Sequence, residues 1–505
     1  MPFKKPDPTL TQFARKVRLE VDETTAGYLD GQSKICNWLW NKLKDEVDAR
    51  MAALSTVDHA CSEAETKRLL GDVYSEIGLR NLVPVLKDKH PFLRCVYSSP
   101  LKNVALHMAK AIRAHRTTKN QSRSGPAAGW ITYKAWAKQW TSLEYDEPNK
   151  GWRVAQCGWL DLSLGVDREG QRLSARARLI APPKGLAAAR TCRIVREGRD
   201  RYFAVFTFRR KKKQEHASRR AVYLDPNHKN FAYALDPTGH AFEIGNLLLK
   251  PAERMLDKLK SRRDRCKRKS LWVDTVRQDA SVSTHWRPSR QRQAVDSVIT
   301  RLEQKVRDQK KHFQYALANR LCRDYDLIGI GDYVPQSTDH GKGKTYNRAV
   351  NNRTFHGSFK SILSAVGARS GKRVVVTDEK GTTRTCHLCQ HVMKQGIHPS
   401  TRRWTCPGCK AEHHRDENAC QNGLRRLLEQ SGYGAGNLPL PCSGPVRIRA
   451  RCDWRFQPQG WQEIPQGRAN VNSTHPPEHR RRLVGKVPRT RRGDNRASGS
   501  ASAAP

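Results

Sequence analysis

Four cysteines between residues 386 and 409 have the types and spacing of a metal site. Cys386 and Cys389 form one Cys-x-x-Cys pair, and Cys406 and Cys409 form a second. Two such pairs at this separation allow four thiolates to meet one Zn²⁺ tetrahedrally, which is the arrangement of a zinc ribbon. Because four cysteine ligands close the coordination shell, we expect this zinc to be structural rather than catalytic.

Acidic residues flank the ribbon, and another follows an apolar run earlier in the chain. Glu379 precedes the first cysteine pair, Asp416 follows the second, and Asp225 ends the run Ala221–Asp225. Three carboxylates that converge on a sheet can hold two Mg²⁺ ions, one activating a water and the other stabilising the leaving oxygen of a phosphodiester. Each acid taken alone is more often a helix cap or a surface residue. Together with the ribbon, the acids predict a metal-dependent nuclease core.

The charge of the chain indicates a polyanionic partner. Its 505 residues include 94 Lys and Arg against 48 Asp and Glu, a formal net charge of +46, which suits contacts to many phosphates of a nucleic acid. No apolar run approaches the length of a membrane-spanning helix, and no signal peptide is expected. Only four of the 14 cysteines have metal-like spacing, so a reducing compartment is expected.

Hydrophobic periodicity in the first half predicts a barrel interrupted by helices. Alternation over residues 13–22 predicts a strand, and apolar stripes through 35–43 and 101–112 predict helices. Residues 130–210 predict antiparallel strands that complete a small barrel with the first strand. The basic, small-residue stretch 113–129 predicts a linker or mobile loop. Tryptophans and basic residues interleave after residue 130, which suits stacking on bases, although each tryptophan alone is more simply barrel core.

The second half predicts a sheet whose strand ends carry the acids. Apolar runs predict strands at Ala221–Asp225, Phe231–Leu235, Leu327–Ile330 and Arg373–Val376, with charge-rich helices over 252–322. Asp416 is expected to open a further helix. Residues 440–505 are rich in Pro, Gly, Ser and Arg and predict a mostly disordered tail.

These motifs resemble the RuvC nuclease domain of the TnpB family, whose members are RNA-guided nucleases related to compact type V CRISPR effectors and to the eukaryotic Fanzor proteins. The resemblance extends to about Leu428. Its segments are Leu224-Asp225 with Asn230-Phe231-Ala232, Tyr325–Ile330, Thr383–Cys389, Trp404–Cys409 and Arg415–Ala419. The ribbon followed by Arg-Asp-x-Asn-Ala is the most specific part.

Two departures from the family pattern affect the acids. The first motif of the family has Asp-Leu-Gly where this chain has Asp225-Pro226-Asn227, and the second has a glutamate where this chain has Gly331-Asp332. Some TnpB and Fanzor members carry that glutamate on the strand leading into the ribbon, where Glu379 stands. The resemblance therefore implies Glu379 as the middle ligand, with Asp332 or an inactive site as the alternatives.

The resemblance implies a multidomain α+β protein. It contains an RNase H-like (RuvC) α/β domain with a zinc-ribbon insert, a β-barrel wedge domain and a helical recognition domain. The implied ranges are 1–23 and 129–213 for the wedge barrel, 24–128 for the recognition domain, 214–380 and 413–434 for the nuclease domain, 381–412 for the ribbon, which would bind target nucleic acid, and 435–505 for the basic tail.

The function implied by the resemblance is guide-RNA-directed, Mg²⁺-dependent cleavage of DNA, in CRISPR defence or in a transposon. Asp225, Glu379 and Asp416 would be the catalytic Mg²⁺ ligands, and the four cysteines would hold structural Zn²⁺. The partners would be a guide RNA, the target duplex and its displaced single strand, in a prokaryotic cytoplasm or, for a eukaryotic source, a nucleus. The alternatives are a nuclease-inactive RNA-guided DNA-binding protein, a guide-independent transposition accessory protein and a plain RNA-binding protein.

Overall fold

The computed structural model describes residues 9–55, 71, 73, 75–120, 129–135, 139–198, 200–211, 213, 220–227, 230–266, 270–276, 282–333, 355–398, 401–432, 446–457 and 459–466. The helices are α1 (Glu23–Ser55), α2 (Glu76–Lys89), α3 (Ser98–Asn120), α4 (Lys250–Arg265), α5 (Arg290–Asp324), α6 (His356–Ser370) and α7 (Arg415–Ser431). Within these ranges no helix combines the length and the apolar character that crossing a membrane needs.

Among the described residues, the strands form two seven-stranded and two two-stranded sheets. They are β1 (Leu10–Glu20), β2 (Leu143–Tyr145), β3 (Trp152–Ala155), β4 (Trp159–Val166), β5 (Arg172–Ile180), β6 (Thr191–Glu197), β7 (Arg201–Lys211), β8 (Ala221–Pro226), β9 (Ala232–Leu235), β10 (His240–Ile244), β11 (Leu271–Val276), β12 (Val282–Arg287), β13 (Leu327–Gly331), β14 (Arg373–Thr377), β15 (Arg403–Thr405), β16 (Glu412–His414), β17 (Ala450–Gln457) and β18 (Gly460–Pro465).

The first sheet joins the N-terminal strand to the strands of the region 143–211. Its order is β2-β6-β7-β1-β5-β4-β3, and β1 pairs antiparallel with both β5 and β7, which confirms the predicted pairing. The end strands β2 and β3 do not pair with each other in the part of the chain that the structure describes, so hydrogen bonding does not close a barrel there. Leucines of α1 and aliphatic residues of α3 pack on this sheet and share its core.

The second sheet brings the ends of three parallel strands to one edge. Its order is β14-β13-β8-β9-β10-β17-β18, and β13 runs parallel to both β14 and β8. Because the carboxyl ends of neighbouring parallel strands lie at the same edge of a sheet, Asp225 in β8, Gly331 at the end of β13 and Thr377 at the end of β14 are adjacent there.

Helix α7 packs closely on this sheet because two glycines leave room for larger side chains. A Cβ on Gly423 would lie 2.0 Å from Cε1 of Tyr223, and a Cβ on Gly329 would lie 2.6 Å from Cδ2 of Leu427. Tyr223, Leu427 and Leu424 are buried together in this contact. The close approach fixes the start of α7, and therefore Asp416, at the same sheet edge.

Gly423→Ala is therefore expected to destabilise the protein by about 1–3 kcal/mol, the range for overpacking a dense core. The added methyl group meets the ring of the buried Tyr223. This cost outweighs the better helix propensity of alanine, which is about 1 kcal/mol. Denaturant unfolding measures the change. Gly357→Ala in α6 is the control, since its Cβ would meet nothing within 4 Å; equal stability changes for both variants would contradict the packing argument.

The prediction of a linker over 113–129 is wrong at its start. Helix α3 continues to Asn120, and residues 121–128 lie outside the described residues. Val104, Met108 and Ile112 are buried, so packing earlier in the helix sustains it into a segment whose own composition favours a loop.

The prediction that the chain from residue 435 is a mostly disordered tail is wrong for β17 and β18. Strand β17 pairs parallel with β10, and β18 pairs antiparallel with β17. Cys452 and Trp454 are buried, with Phe456 half-buried, between more exposed residues. This period-two pattern is typical of a strand, but it is short and lies in a strongly basic region. Residues 467–505 lie outside the described residues.

Candidate nuclease site and zinc ribbon

Asp225 is the buried member of the candidate acidic site. It is the fifth residue of β8 and only 8% exposed. Burial raises the pKa of its carboxyl group well above the usual range, and the negative charges of Glu379 and Asp416 raise it further. Three acids from separate parts of the chain therefore lie close enough to affect one another's charge.

The carboxylate of Glu379 occupies space that Gly331 leaves free. A Cβ on Gly331 would lie 1.6 Å from Oε1 and 2.3 Å from Cδ of Glu379. Gly331 directly follows Ile330, which pairs with Leu224 in β8, so this space lies beside Asp225. The carboxylate thus reaches the end of β13, where the family pattern has a glutamate from that strand itself.

Asp332 holds the backbone of Glu379 in place. Its Oδ1 accepts a hydrogen bond from the N–H of Glu379 at 3.1 Å, and its own N–H donates to the carbonyl of Thr377 at 2.9 Å. The exposed carboxylate of Asp332 is therefore engaged with the turn that follows β14. In this geometry Asp332 contacts the backbone of Glu379, while the carboxylate of Glu379 lies at the end of β13.

The Oε1 atom of Glu379 is buried and has no hydrogen-bond partner among the described residues. Burial, followed by the charge of Asp332, raises the pKa of Glu379 to about 7. Burying a carboxylate oxygen without a partner costs folding free energy. Coordination to a divalent cation would offset that cost. Carboxylate oxygens such as this one are the ligand type that a hard cation such as Mg²⁺ prefers.

The raised pKa of Glu379 predicts that the protein without Mg²⁺ loses stability as the pH rises from about 4.5 to about 7. Between these pH values the folded state keeps a proton on Glu379 that the unfolded state has already released. The free energy of unfolding therefore falls as the pH rises through this range. Mg²⁺ is expected to raise the melting temperature more at pH 8 than at pH 6. The melting temperatures of the wild-type protein and of Glu379→Gln, measured across this pH range, test the prediction, and Glu429→Gln, at an exposed position, is the control. A pH dependence of the melting temperature in Glu379→Gln equal to that of the wild-type protein would contradict it.

Asp416 lies at the second position of α7 and already has strong partners. Arg402 Nη1 contacts its two carboxylate oxygens at 2.9 and 3.1 Å, and Asn227 Nδ2 donates to Oδ2 at 2.8 Å. Within the described residues, the three acids do not bring three oxygens within 4.8 Å of one another. Binding of a shared ion therefore requires these side chains to move closer, and Arg402 is the group that competes with the ion for Asp416.

The four ribbon cysteines have the geometry of a tetrahedral zinc site. Their sulfurs all lie within 4.8 Å of one another, with Cys386–Cys409 at 3.7 Å and Cys389–Cys406 at 3.6 Å. Zn–S bonds of about 2.3 Å at tetrahedral angles place sulfurs about 3.8 Å apart. The cluster therefore fits one Zn²⁺.

Both cysteine pairs adopt the same local turn. The N–H of Gln390 donates to the carbonyl of Cys386 at 2.9 Å, and the N–H of Lys410 donates to the carbonyl of Cys406 at 2.8 Å. Gln390 and Lys410 both have positive φ angles, 63° and 59°. Such strained turns persist where surrounding structure holds them, and a common zinc ion joining the two turns would do so.

Two asparagines one helical turn apart attach the ribbon to α7. Asn418 Nδ2 donates to the carbonyl of Thr385 at 2.8 Å, and its Oδ1 accepts from the N–H of His387 at 2.9 Å. Asn422 Nδ2 donates to the carbonyls of Thr382 and Thr385 at 2.9 and 2.7 Å. The helix that carries Asp416 is thus fixed to the chain that leaves Glu379.

Sequence reasoning did not identify the structural roles of Gly331, Asn227, Arg402 and Asn422. The spacing of four between the asparagines was a usable signal, because residues four apart share a helix face. The contacts of Gly331 and Arg402 join residues distant in sequence, and no local pattern marks them.

Comparisons with known proteins find similarity over part of the chain. Residues 356–422, which span α6 to the first half of α7, match the family model described as Cas12f1-like, TNB domain. A protein of Mycobacterium tuberculosis, whose curated name describes a candidate RNA-guided DNA endonuclease, is 26% identical over 131 residues, 25% of this chain and 28% of that protein. A protein of Streptomyces pristinaespiralis with the same description is 27% identical over 194 residues, 38% of this chain and 45% of that protein.

The resemblance to the TnpB and compact type V effector family is confirmed by these matches. The matched segments span less than half the length of the two curated relatives. Among solved structures, a Cas12f1–sgRNA–target DNA complex aligns with a TM-score of 0.43 and 9% identity, covering 82% of this chain and 98% of that one.

Proposed function

We propose that the protein is an RNA-guided DNA endonuclease that hydrolyses phosphodiester bonds at a RuvC-like site after pairing of guide RNA with target DNA. The observation that carries this proposal is the buried, unpartnered Oε1 of Glu379 beside Asp225, in the space left by Gly331. Coordination to a metal ion would satisfy this buried oxygen, and a second buried acid beside it would supply a further ligand.

Asp225, Glu379 and Asp416 would hold the divalent cations. Bound Mg²⁺ would supply an activated water and stabilise the leaving oxygen of the cleaved strand. Burial raises the pKa of both Asp225 and Glu379, that of Glu379 to about 7, so metal binding would be coupled to loss of protons from these carboxyl groups. The turn held by Asp332 and the contact between α7 and the sheet keep the acids in one region.

The architecture supports an RNase H-like nuclease domain with a ribbon insert. The strand order β10-β9-β8-β13-β14, with three parallel strands and α7 against one face, suits such a domain. We further propose the first sheet as the wedge domain, α1 to α3 as the recognition domain and the ribbon as a structural zinc module that contacts target nucleic acid.

The proposed partners are a guide RNA and target DNA. A net charge of +46 suits contact with long polyanions, and the curated relatives carry names that describe RNA-guided DNA endonucleases. Guide pairing would read the target sequence, while the protein would read a short flanking motif and the shape of the heteroduplex. The gene's context would be a CRISPR array or a transposon.

The test begins with the RNA that co-purifies with the full-length protein. Sequencing is expected to find one enriched non-coding RNA, and the complex is expected to cut a DNA duplex matching its guide segment when Mg²⁺ is added. A duplex with a scrambled target is the control. Absence of an enriched RNA would favour a guide-independent transposition accessory protein.

The second candidate function is RNA-guided DNA binding without cleavage. It is favoured by the contact of Arg402 with Asp416 and by the separation of the three acids. Stable, guide-dependent target binding with no cleavage in Mg²⁺ would support this candidate. Removal of the competing guanidinium by Arg402→Gln would be expected to increase Mg²⁺ affinity if the nuclease is active.

A further inference from the structure

We propose that His240, Cys452 and Glu463 form a second transition-metal site, separate from the ribbon. His240 Nε2 lies 3.3 Å from Cys452 Sγ and 3.5 Å from Glu463 Oε1. One ligand atom of each residue lies within 4.8 Å of the other two. The residues come from β10, β17 and β18, three neighbouring strands of the second sheet.

The donor set suits Zn²⁺. Thiolate, imidazole and carboxylate are its usual ligands in proteins, and three such residues leave one position of a tetrahedral shell for water. The Cys452 residue is 4% exposed, whereas the side chains of His240 and Glu463 are 29% and 42% exposed. A water molecule can therefore reach the fourth position, while the thiolate lies on the buried side.

The carboxylate of Asp236 lies near the far nitrogen of the His240 imidazole. Its Nδ1 lies 4.0 Å from Oδ2 of Asp236, and its backbone N–H donates to Oδ1 of Asp236 at 3.0 Å. Asp236 is 8% exposed. A carboxylate that accepts a hydrogen bond from the second ring nitrogen of a ligating histidine is a recurring support for zinc sites, and a small shift of the His240 ring toward Asp236 would form that bond.

A separate contact orients the carboxylate of Glu463. Arg320 Nη2 in α5 donates to Oε2 at 2.8 Å, so the other oxygen, Oε1, faces His240. The Arg320 guanidinium lies 3.7 Å from the ring centroid of Trp454, which limits its movement. Thus Glu463 is held with Oε1 toward His240 Nε2, which also lies close to Cys452 Sγ.

A zinc ion at this point would link β17 and β18 to β10 in the second sheet. Strands β10 and β17 run parallel, and their residues His240 and Cys452 are 212 positions apart in the sequence. A metal link across β10, β17 and β18 would restrain their separation, much as a disulfide restrains distant segments, but in a reducing compartment.

The test is the zinc content of the full-length protein. Protein loaded with Zn²⁺ and then desalted is expected to hold one zinc equivalent more than Cys452→Ser and His240→Gln. Cys322→Ser is the matched control, since Cys322 is buried in the same core but belongs to no metal-ligating cluster of the described residues; it is expected to retain the wild-type content. The double variant Cys452→Ser/Cys406→Ser is expected to hold one zinc equivalent less than Cys452→Ser alone. This difference would show that the site and the ribbon bind zinc independently.

Loss of zinc through misfolding is excluded by a second variant. Glu463→Gln changes a partly exposed side chain and conserves its size, so the strands should still form. Zn²⁺ alone is expected to slow proteolysis within residues 446–466 of the wild-type protein and not of Glu463→Gln. Equal zinc content in the wild-type protein and all three variants, or equal protection, would overturn the proposal; neither readout depends on DNA cleavage.

Discussion

Glu379→Gln is expected to abolish Mg²⁺-dependent cleavage of guided DNA while leaving guide and target binding intact. Glutamine keeps the size of the side chain in the space beside Gly331 but removes the negative charge that a divalent cation requires. Losing one such group is expected to slow cleavage at least about 100-fold, the scale for removing a single transition-state-stabilising group. Rates of target cleavage under single-turnover conditions measure the effect.

Asp332→Asn is the matched control for this prediction. Its amide oxygen can still accept the hydrogen bond that Asp332 receives from the backbone of Glu379, so most of the cleavage activity should remain. If Asp332→Asn abolished cleavage and Glu379→Gln did not, the middle ligand would be Asp332, and the role assigned to Glu379 would be wrong.

Gly331→Ala tests the same geometry without altering any acid. The added Cβ would lie within 2.4 Å of three atoms at the end of the Glu379 side chain. Because that end is flexible, the carboxylate is expected to move away at little cost in stability, and cleavage should fall with it. Unchanged cleavage would mean that the carboxylate does not need this position.

Cys406→Ser is expected to release the ribbon zinc, lower the melting temperature and abolish cleavage. Structural zinc binding by four thiolates contributes about 10–16 kcal/mol in small zinc domains, so its loss is expected to unfold the ribbon. The asparagines of α7 contact the backbone of residues 382–387, and Arg402 of the ribbon contacts Asp416. Unfolding should therefore release the turn of Glu379 from the helix of Asp416.

Zinc content, thermal melting and cleavage rate are the measurements for the ribbon. Cys157→Ser is the control, because Cys157 is an exposed free cysteine in the first sheet region and should leave all three unchanged. A Cys406→Ser protein with full zinc content and wild-type cleavage would show that the four cysteines do not form the proposed centre.

The sequence predicted most elements that carry the site. Apolar runs located β8, β13 and β14, and helical spacing located α1, α3 and α5. The four cysteines were identifiable because a zinc ribbon places its ligands in short, fixed spacings. The segments 113–120 and 450–465 were misassigned because their secondary structure depends on packing against distant residues, which local composition does not report.

By itself, the sequence of this protein determined the types of most elements, the excess of positive charge and the spacing of the four cysteines, since each follows from composition or from residues near one another in the chain. Only the tertiary structure decided that the carboxylate of Glu379 fills the space at Gly331, that Arg402 contacts Asp416, and that His240 meets Cys452. These contacts arise from strand order and close helix packing. They join residues far apart in sequence, where periodicity and spacing carry no information.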